Sequence, residues 1–292
     1  MTLLEIAHLR QTYGRGRSQV VAVDDLSLTI AEGETFGLVG ESGSGKTTTG
    51  RAVVGLQTPS GGTIRYRGQD LTAALRGRVG AAVRREVQMV FQDPYSSLDP
   101  RMRVRDVVAE GLAIARDRRD VAARVEEALD AVGLGAAFGD RYPHELSGGQ
   151  RQRVGIARAL VVEPRFVVLD EPISALDVSV QAQVVNLLDD LKRERGLTYL
   201  FIAHDLAMVR HVSDRIGVMR GGRLVEVGPA AEVWAEPLHP YTRALLSAVP
   251  LPDPDAERDR VRVPYDGSAD GGSDRHGELV EVSPGRLVRR PG

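Results

Sequence analysis

Gly40-Glu41-Ser42-Gly43-Ser44-Gly45-Lys46-Thr47 fits the pattern G-x-x-x-x-G-K-S/T at every fixed position. The apolar run Thr35–Val39 reads as a strand entering it, and a helical run from Thr47 to about Leu56 leaves it. Glycines let backbone N–H groups turn inward around an anion, and the start of the following helix adds the positive end of its dipole. In such a loop Lys46 supplies a compact positive charge to the β- and γ-phosphates, and the Thr47 hydroxyl ligates Mg²⁺. Thr48 follows on the same first turn and is counted with the nucleotide-binding residues. The plainer alternative is a glycine-rich turn with no ligand. The complete match sets it aside, and so does the scarcity of lysine: of 38 basic residues only Lys46 and Lys192 are lysines, a skew that GC-rich codon usage explains.

A second stretch, Arg165-Phe166-Val167-Val168-Leu169-Asp170-Glu171-Pro172, reads as a buried strand ending in two acids. Open parallel sheets bind ligands at the carboxyl ends of such strands. Asp170 is expected near the metal, through water, and Glu171 beside the γ-phosphate as the base acting on the attacking water. Acids that cap a strand are common, and the pair gains its meaning from the phosphate loop.

Working outward, short β-rich runs alternate with longer helical patterns, which predicts an α/β layered domain. The predicted strands are Leu3–Leu9, Val20–Ile30, Thr35–Val39, Gly62–Arg67, Val87–Phe91, Phe166–Leu169, Tyr199–Ala203 and Ile216–Met219. A hairpin is expected to turn on Gly221-Gly222. From Asp93 to Leu160 strand signals vanish, and Val104–Ala115 and Val121–Val132 read as amphipathic helices, the second stopped by Gly133. The stretch at about 93–160 is taken as an all-helical insertion in a domain spanning 1–250. Past about Pro250 the chain turns to Pro, Asp, Gly and Ser, which reads as a partly mobile extension over 251–292.

Composition narrows the partners. A formal net charge of −2 gives no footprint for nucleic acid, and none is expected. No run approaches the roughly 18 apolar residues that a membrane span needs, and the amino terminus shows no leader pattern. The expectation is a soluble protein kept in the cytoplasm that works at a membrane only by docking to something that spans it. The absence of cysteine excludes disulfides and thiolate-held metal centres.

Between the two nucleotide motifs lies Leu146-Ser147-Gly148-Gly149-Gln150, followed by a helical pattern. Here the sequence resembles the ABC ATPase family, whose signature stands at this place. As bare residues it is a helix start with a Ser cap and two glycines, able to face an anion. The resemblance implies that it meets the γ-phosphate of ATP held by a second ATPase subunit, in a head-to-tail dimer with ATP at the interface. It implies further roles in family order. Gln92 contacts Mg²⁺ and the attacking water and relays nucleotide state to membrane subunits. Ser174-Ala175-Leu176-Asp177 crosses the dimer interface, His204 contacts the γ-phosphate, and Tyr13 stacks on adenine. His8, His211 and His276 read as structural. The implied fold is a P-loop core with a mixed sheet, an antiparallel β subdomain and the helical insertion.

Two further stretches resemble the dipeptide, oligopeptide and nickel importer branch. One is Gln92-Asp93-Pro94-Tyr95-Ser96-Ser97-Leu98-Asp99-Pro100-Arg101-Met102, which in that branch forms much of the groove for a coupling helix. The other is Glu236 to Leu246, with His239-Pro240-Tyr241-Thr242 at its centre; as bare residues it is a Pro-initiated amphipathic helix. The resemblance implies ATP and Mg²⁺ as cofactors, a place on the cytoplasmic membrane face, permease subunits as partners, and an external solute-binding protein acting indirectly. Nickel-chelate or other small-solute import stays open beside peptide import, as does a soluble ATPase acting on ribosomes or DNA. Many members of the branch carry an iron–sulfur centre on cysteines near the carboxyl end. The stretch from Asp266 to Glu278 has none, so no cluster is expected.

Overall fold

The computed structural model describes residues 1–77, 80–174, 176–249, 258, 262–265 and 277–290. From the amino terminus come β1 (Thr2–Tyr13), β2 (Val20–Ala31), β3 (Thr35–Val39), α1 (Lys46–Val53), β4 (Gly61–Tyr66) and β5 (Gln69–Asp70). Then follow α2 (Leu71–Arg76), α3 (Gly80–Glu86), β6 (Val87–Val90), α4 (Pro94–Ser97), α5 (Val104–Ile114), α6 (Val121–Ala131) and α7 (Gly148–Leu160). The chain continues through β7 (Phe166–Asp170), α8 (Val178–Arg195), β8 (Thr198–Ala203), α9 (Leu206–Val212), β9 (Arg215–Arg220) and β10 (Arg223–Pro229). It closes with α10 (Ala230–Ala235), α11 (Pro240–Ser247), β11 (Glu278–Ser283) and β12 (Arg286–Arg290). Two compact units result, Met1–Gly68 with Phe201–Gly292, and Gln69–Leu200.

In the first unit β1 pairs antiparallel with both β2 and β4. Strand β2 buries Val23, Leu26, Leu28 and Ile30, the every-other-residue pattern of a sheet with one covered face once a bulge is allowed for. That irregularity places His8 and Asp25 at φ +52° and +58°, and the exposed His8 Nδ1 lies 2.7 Å from Asp25 Oδ1. The other sheet of this unit is mixed. Strand β3, buried at all five residues, runs parallel to β9, while β9–β10 and β10–β12 are antiparallel. The β9–β10 turn falls on Gly221-Gly222, at φ +52° and +85°, as a two-residue hairpin requires.

The second unit holds the parallel pair β6–β7, in register from Val87 opposite Phe166 to Val90 opposite Leu169. From Pro94 to Leu160 its regular elements are all helical. Val104, Val107, Val108 and Leu112 of α5 and Val125, Ala128 and Leu129 of α6 form buried stripes at helical spacing, and both helices pack on α7. Gly133, at φ +68°, ends the α6 region where the sequence placed a stop.

The structure adds what the sequence reading lacked. Gln69–Asp70, Leu71–Arg76 and Gly80–Glu86 form β5, α2 and α3, where the sequence predicts no element. The carboxyl end, expected as an extension, closes in the hairpin β11–β12, and β12 pairs with β10. The linker-like residues 250–257 and all of 266–276, with His276 and most of the cysteine-free stretch, lie outside the described residues, as does Ala175. Among the described residues no helix is long and apolar enough to cross a membrane.

Candidate functional site

In the first unit the phosphate loop runs from the end of β3 into α1. Glu41, Ser42 and Gly43 are exposed, while Gly40, Ser44 and Lys46 are buried. Gly45, the residue before α1, has φ +103°, and an added Cβ would lie 2.3 Å from the Ala22 carbonyl oxygen. Only glycine serves there. No side chain caps α1 at Gly45. The Lys46 ammonium, 4% exposed, turns back into the loop and donates to the carbonyl oxygens of Gly40 and Glu41, each at 2.8 Å. The Ser44 hydroxyl is 3.4 Å away. A Cβ on Gly43 would meet nothing within 4 Å, so the bend of the loop is open. An ammonium turned back onto loop carbonyls beside an open, glycine-lined bend fits a phosphate ligand. Thr47 and Thr48, half-buried, occupy the first turn of α1.

The other candidates of this unit stand at strand ends. Tyr13, the last residue of β1, is 40% exposed and donates its hydroxyl to Gln57 Oε1 at 2.7 Å. His204 is exposed just past β8, and Asp205 after it caps α9 by accepting from the Ala207 N–H at 2.8 Å.

In the second unit the register of β6 on β7 carries Gln92 and Glu171 to the same end of the parallel pair. Gln92 Nε2 donates to Glu171 Oε2 at 2.8 Å across 79 residues of sequence. Glu171 sits at φ +45°, a left-handed conformation a non-glycine residue rarely adopts, and such strain gathers at functional positions. Asp170, one residue earlier, is buried at 2% exposure. Within this unit, buried Asp170 and the amide of Gln92 are oxygen-bearing groups of the kind Mg²⁺ takes.

The signature residues form a closed cap. Ser147 Oγ accepts the Gln150 N–H at 3.3 Å, and Gln150 Oε1 accepts the Ser147 N–H at 2.9 Å. This reciprocal box goes beyond the Ser cap expected from sequence, and the Ser-x-x-Gln spacing is its signal. Gly148 and Gly149 form the first turn of α7. Asp177 is the exposed residue before α8, and its side chain makes no cap.

Sequence reasoning missed how the segment after Gln92 is tied to α7. The Arg158 guanidinium donates to the Ser97 carbonyl at 2.7 Å and lies 5.9 Å from the Phe91 ring. Burial lowers its pKa, with Glu110 pulling the other way. Arg151 reaches the Pro143 carbonyl at 2.7 Å and covers the Tyr95 ring at 5.1 Å. Asp93 starts α4; the Ser96 hydroxyl and then the Tyr95 N–H, 2.8 Å from Asp93 Oδ1, hold its carboxyl below the ordinary range. An arginine on a helix declares no partner in sequence, so nothing local pointed to these ties.

Comparison with known proteins places the chain in a family. Residues 23–174 match the family described as ABC transporter, and residues 225–271 match the oligopeptide/dipeptide transporter C-terminal region. The chain is 56% identical to the oligopeptide transport ATP-binding protein OppF of Bacillus subtilis, over 98% of this chain and 95% of that protein. It is 53% identical to the dipeptide transport ATP-binding protein DppF of Lactococcus lactis, over 98% and 93%. Among solved structures, cbiO1 of Clostridium perfringens, part of the ABC transporter complex cbiONQ, superposes with a TM-score of 0.70 at 31% identity, covering 80% of this chain and 91% of that one. A dimeric, post-hydrolysis ATP-binding cassette bound to ADP and Pi gives 0.69 at 27% identity, covering 78% and 99%. With its phosphate loop, paired acids and signature helix in family order, the chain belongs to the ATP-binding subunits of the ABC transporter family.

Proposed function

We propose that this chain hydrolyses ATP to drive import of oligopeptides, docked on the cytoplasmic side of membrane-spanning permease subunits that an external solute-binding protein supplies. The observation that carries the hydrolytic reading is the 2.8 Å bond from Gln92 to Glu171, an amide donor holding a carboxylate at the end of a parallel strand. The peptide class is supported by the names of the relatives and by the match at residues 225–271.

In this reading the backbone of Gly40 to Thr48 wraps the phosphates and Tyr13 stacks on the adenine. Lys46 exchanges its loop carbonyls for β- and γ-phosphate oxygens. Thr47, Asp170 and Gln92 hold Mg²⁺, which when bound neutralises charge on those oxygens. Glu171 takes a proton from water as the water oxygen bonds to the γ-phosphorus and the bond to the ADP oxygen breaks. Gln92 orients that water, and His204 hydrogen-bonds the transferring group. Ser147, Gly148, Gly149 and Gln150 of a second ATPase subunit cover the γ-phosphate, and Asp177 lies in the same interface. Loss of the γ-phosphate removes what joins the two subunits, and they part.

The substitution Glu171→Gln keeps the shape and removes the base. We expect it to bind ATP normally and to lose about 10²-fold or more of its turnover, the worth of a positioned base. Light scattering of this variant, with and without ATP and Mg²⁺, should show a monomer converting to a dimer. Hydrolysis close to wild type would remove Glu171 from the role. A variant that binds ATP and stays monomeric would instead assign the second subunit to a homologous chain.

A further inference from the structure

The carboxyl-terminal element reaches the phosphate loop. Tyr241, in the first turn of α11 and 6% exposed, accepts the Glu41 N–H on its hydroxyl at 3.1 Å, 200 residues along the chain. Both residues lie in the first unit. Glu41 is a junction within the loop. Its carbonyl oxygen receives the Lys46 ammonium at 2.8 Å and the Ser44 N–H at 3.2 Å. Its carboxylate lies 4.0 Å from Arg220, whose guanidinium covers the Tyr241 ring at 5.2 Å and the Tyr265 ring at 4.1 Å.

Tyr241 is itself held firmly. His239 Nδ1 accepts the Tyr241 N–H at 3.1 Å. The Glu226 carboxylate, fully buried, accepts the N–H groups of Leu238 at 3.0 Å and His239 at 2.9 Å. Arg286 of β12 pairs with Glu226 at 3.4 Å and donates to the Glu236 carbonyl. A carboxylate buried this deeply persists only when paired and hydrogen-bonded, and here its partners are the segment leading into α11 and the closing hairpin. Burial also raises the Tyr241 pKa, which keeps the phenol neutral.

We propose that Tyr241 is a positioning residue for nucleotide binding: its hydroxyl fixes the Glu41 peptide, and with it the carbonyl perch from which Lys46 is released to phosphate. This rests on the reading of the loop as the ATP site. A loop already set in shape spends less of its binding energy on being ordered. Anchorage by α11 and β12 therefore sets the affinity of the loop for a nucleotide's phosphates, without touching the chemistry at Glu171.

The test is Tyr241→Phe in the full chain, which keeps the ring against Arg220 and Tyr265 and removes only the hydroxyl. Exchange of the Glu41 amide hydrogen, followed without nucleotide, should quicken severalfold. Dissociation constants for ATP and ADP should rise about threefold to tenfold, the worth of one ordinary hydrogen bond. The KM for ATP should rise with them, while kcat at saturating ATP stays within about twofold; a general loss of packing would lower both. Unchanged affinity, whether or not the amide exchange quickens, overturns the proposal. Failure of the functional reading has its own signature, in which the wild-type chain binds no ATP while Glu41 exchange still responds to the substitution; that result also ends the proposal.

Discussion

Two helices of this chain have glycine at their starts and are both assigned to a phosphate, yet their first turns are finished in opposite ways. Helix α1 starts at Gly45 in a left-handed conformation with no side-chain cap, and the Lys46 ammonium lies folded on two loop carbonyls. Helix α7 starts at Ser147 in an extended conformation, and the box with Gln150 closes both ends of the turn. The first arrangement carries a charge that a ligand can draw outward, so one chain can hold a nucleotide's phosphates by itself. The second is complete without a ligand, and the cation of its first turn, Arg151, is engaged by the Pro143 carbonyl and the Tyr95 ring. Such a start adds to a phosphate that something else already holds, which is what a site shared between two subunits demands. The difference explains physically why binding and pairing are separable steps in the proposed cycle.

That separation can be broken from either side. Lys46→Ala should have the largest effect on binding. It removes charge-assisted bonds worth about 1.5–3 kcal/mol, so affinity for ATP should fall about tenfold to a hundredfold in a direct titration. Unchanged affinity would end the assignment of the loop. Ser147→Ala attacks the other helix. Losing the cap should cost about 1 kcal/mol of folding stability in a denaturant titration. ATP affinity of the isolated chain should stay as it was, while ATP-driven pairing in the Glu171→Gln background weakens. If Ser147→Ala instead weakened ATP binding by the monomer, the contrast between the two helices would be false.

How far the sequence carries the reader depends on the range of each interaction. Strand β3 falls on Thr35–Val39 as read, because five consecutive buried residues between turn signals leave little choice. The Gly221-Gly222 hairpin was equally plain, since its geometry needs positive φ at both residues. The short elements over 69–86 escaped because Ala- and Arg-rich stretches show no strong periodicity. The closing hairpin escaped because Gly, Ser and Asp before it drew the reading toward a tail, although Pro284-Gly285 between two alternating runs is a turn signal. The loop and acid motifs were legible as residue types. The bonds that organise them were not: Gln92 to Glu171 spans 79 residues and Glu41 to Tyr241 spans 200, and only the folded sheets bring such pairs together.

The smallest change sharpens the comparison most. Gln150→Glu keeps an oxygen where Gln150 Oε1 now accepts the Ser147 N–H at 2.9 Å, and it places a negative charge in the first turn of a 13-residue helix. A carboxylate there interacts favourably with the helix dipole and completes the commoner Ser-x-x-Glu box. Stability should rise by about 0.3–1 kcal/mol. The same charge lies where the reading puts another subunit's γ-phosphate, so it should repel that group. Light scattering of Glu171→Gln with Gln150→Glu should then show less ATP-driven dimer than Glu171→Gln alone, from a more stable monomer. Opposite signs for the two readouts separate a surface made for a ligand from one made for the fold. Undiminished pairing would mean that the start of α7 does not meet the phosphate. Lowered stability would mean that the box does not close the helix in solution.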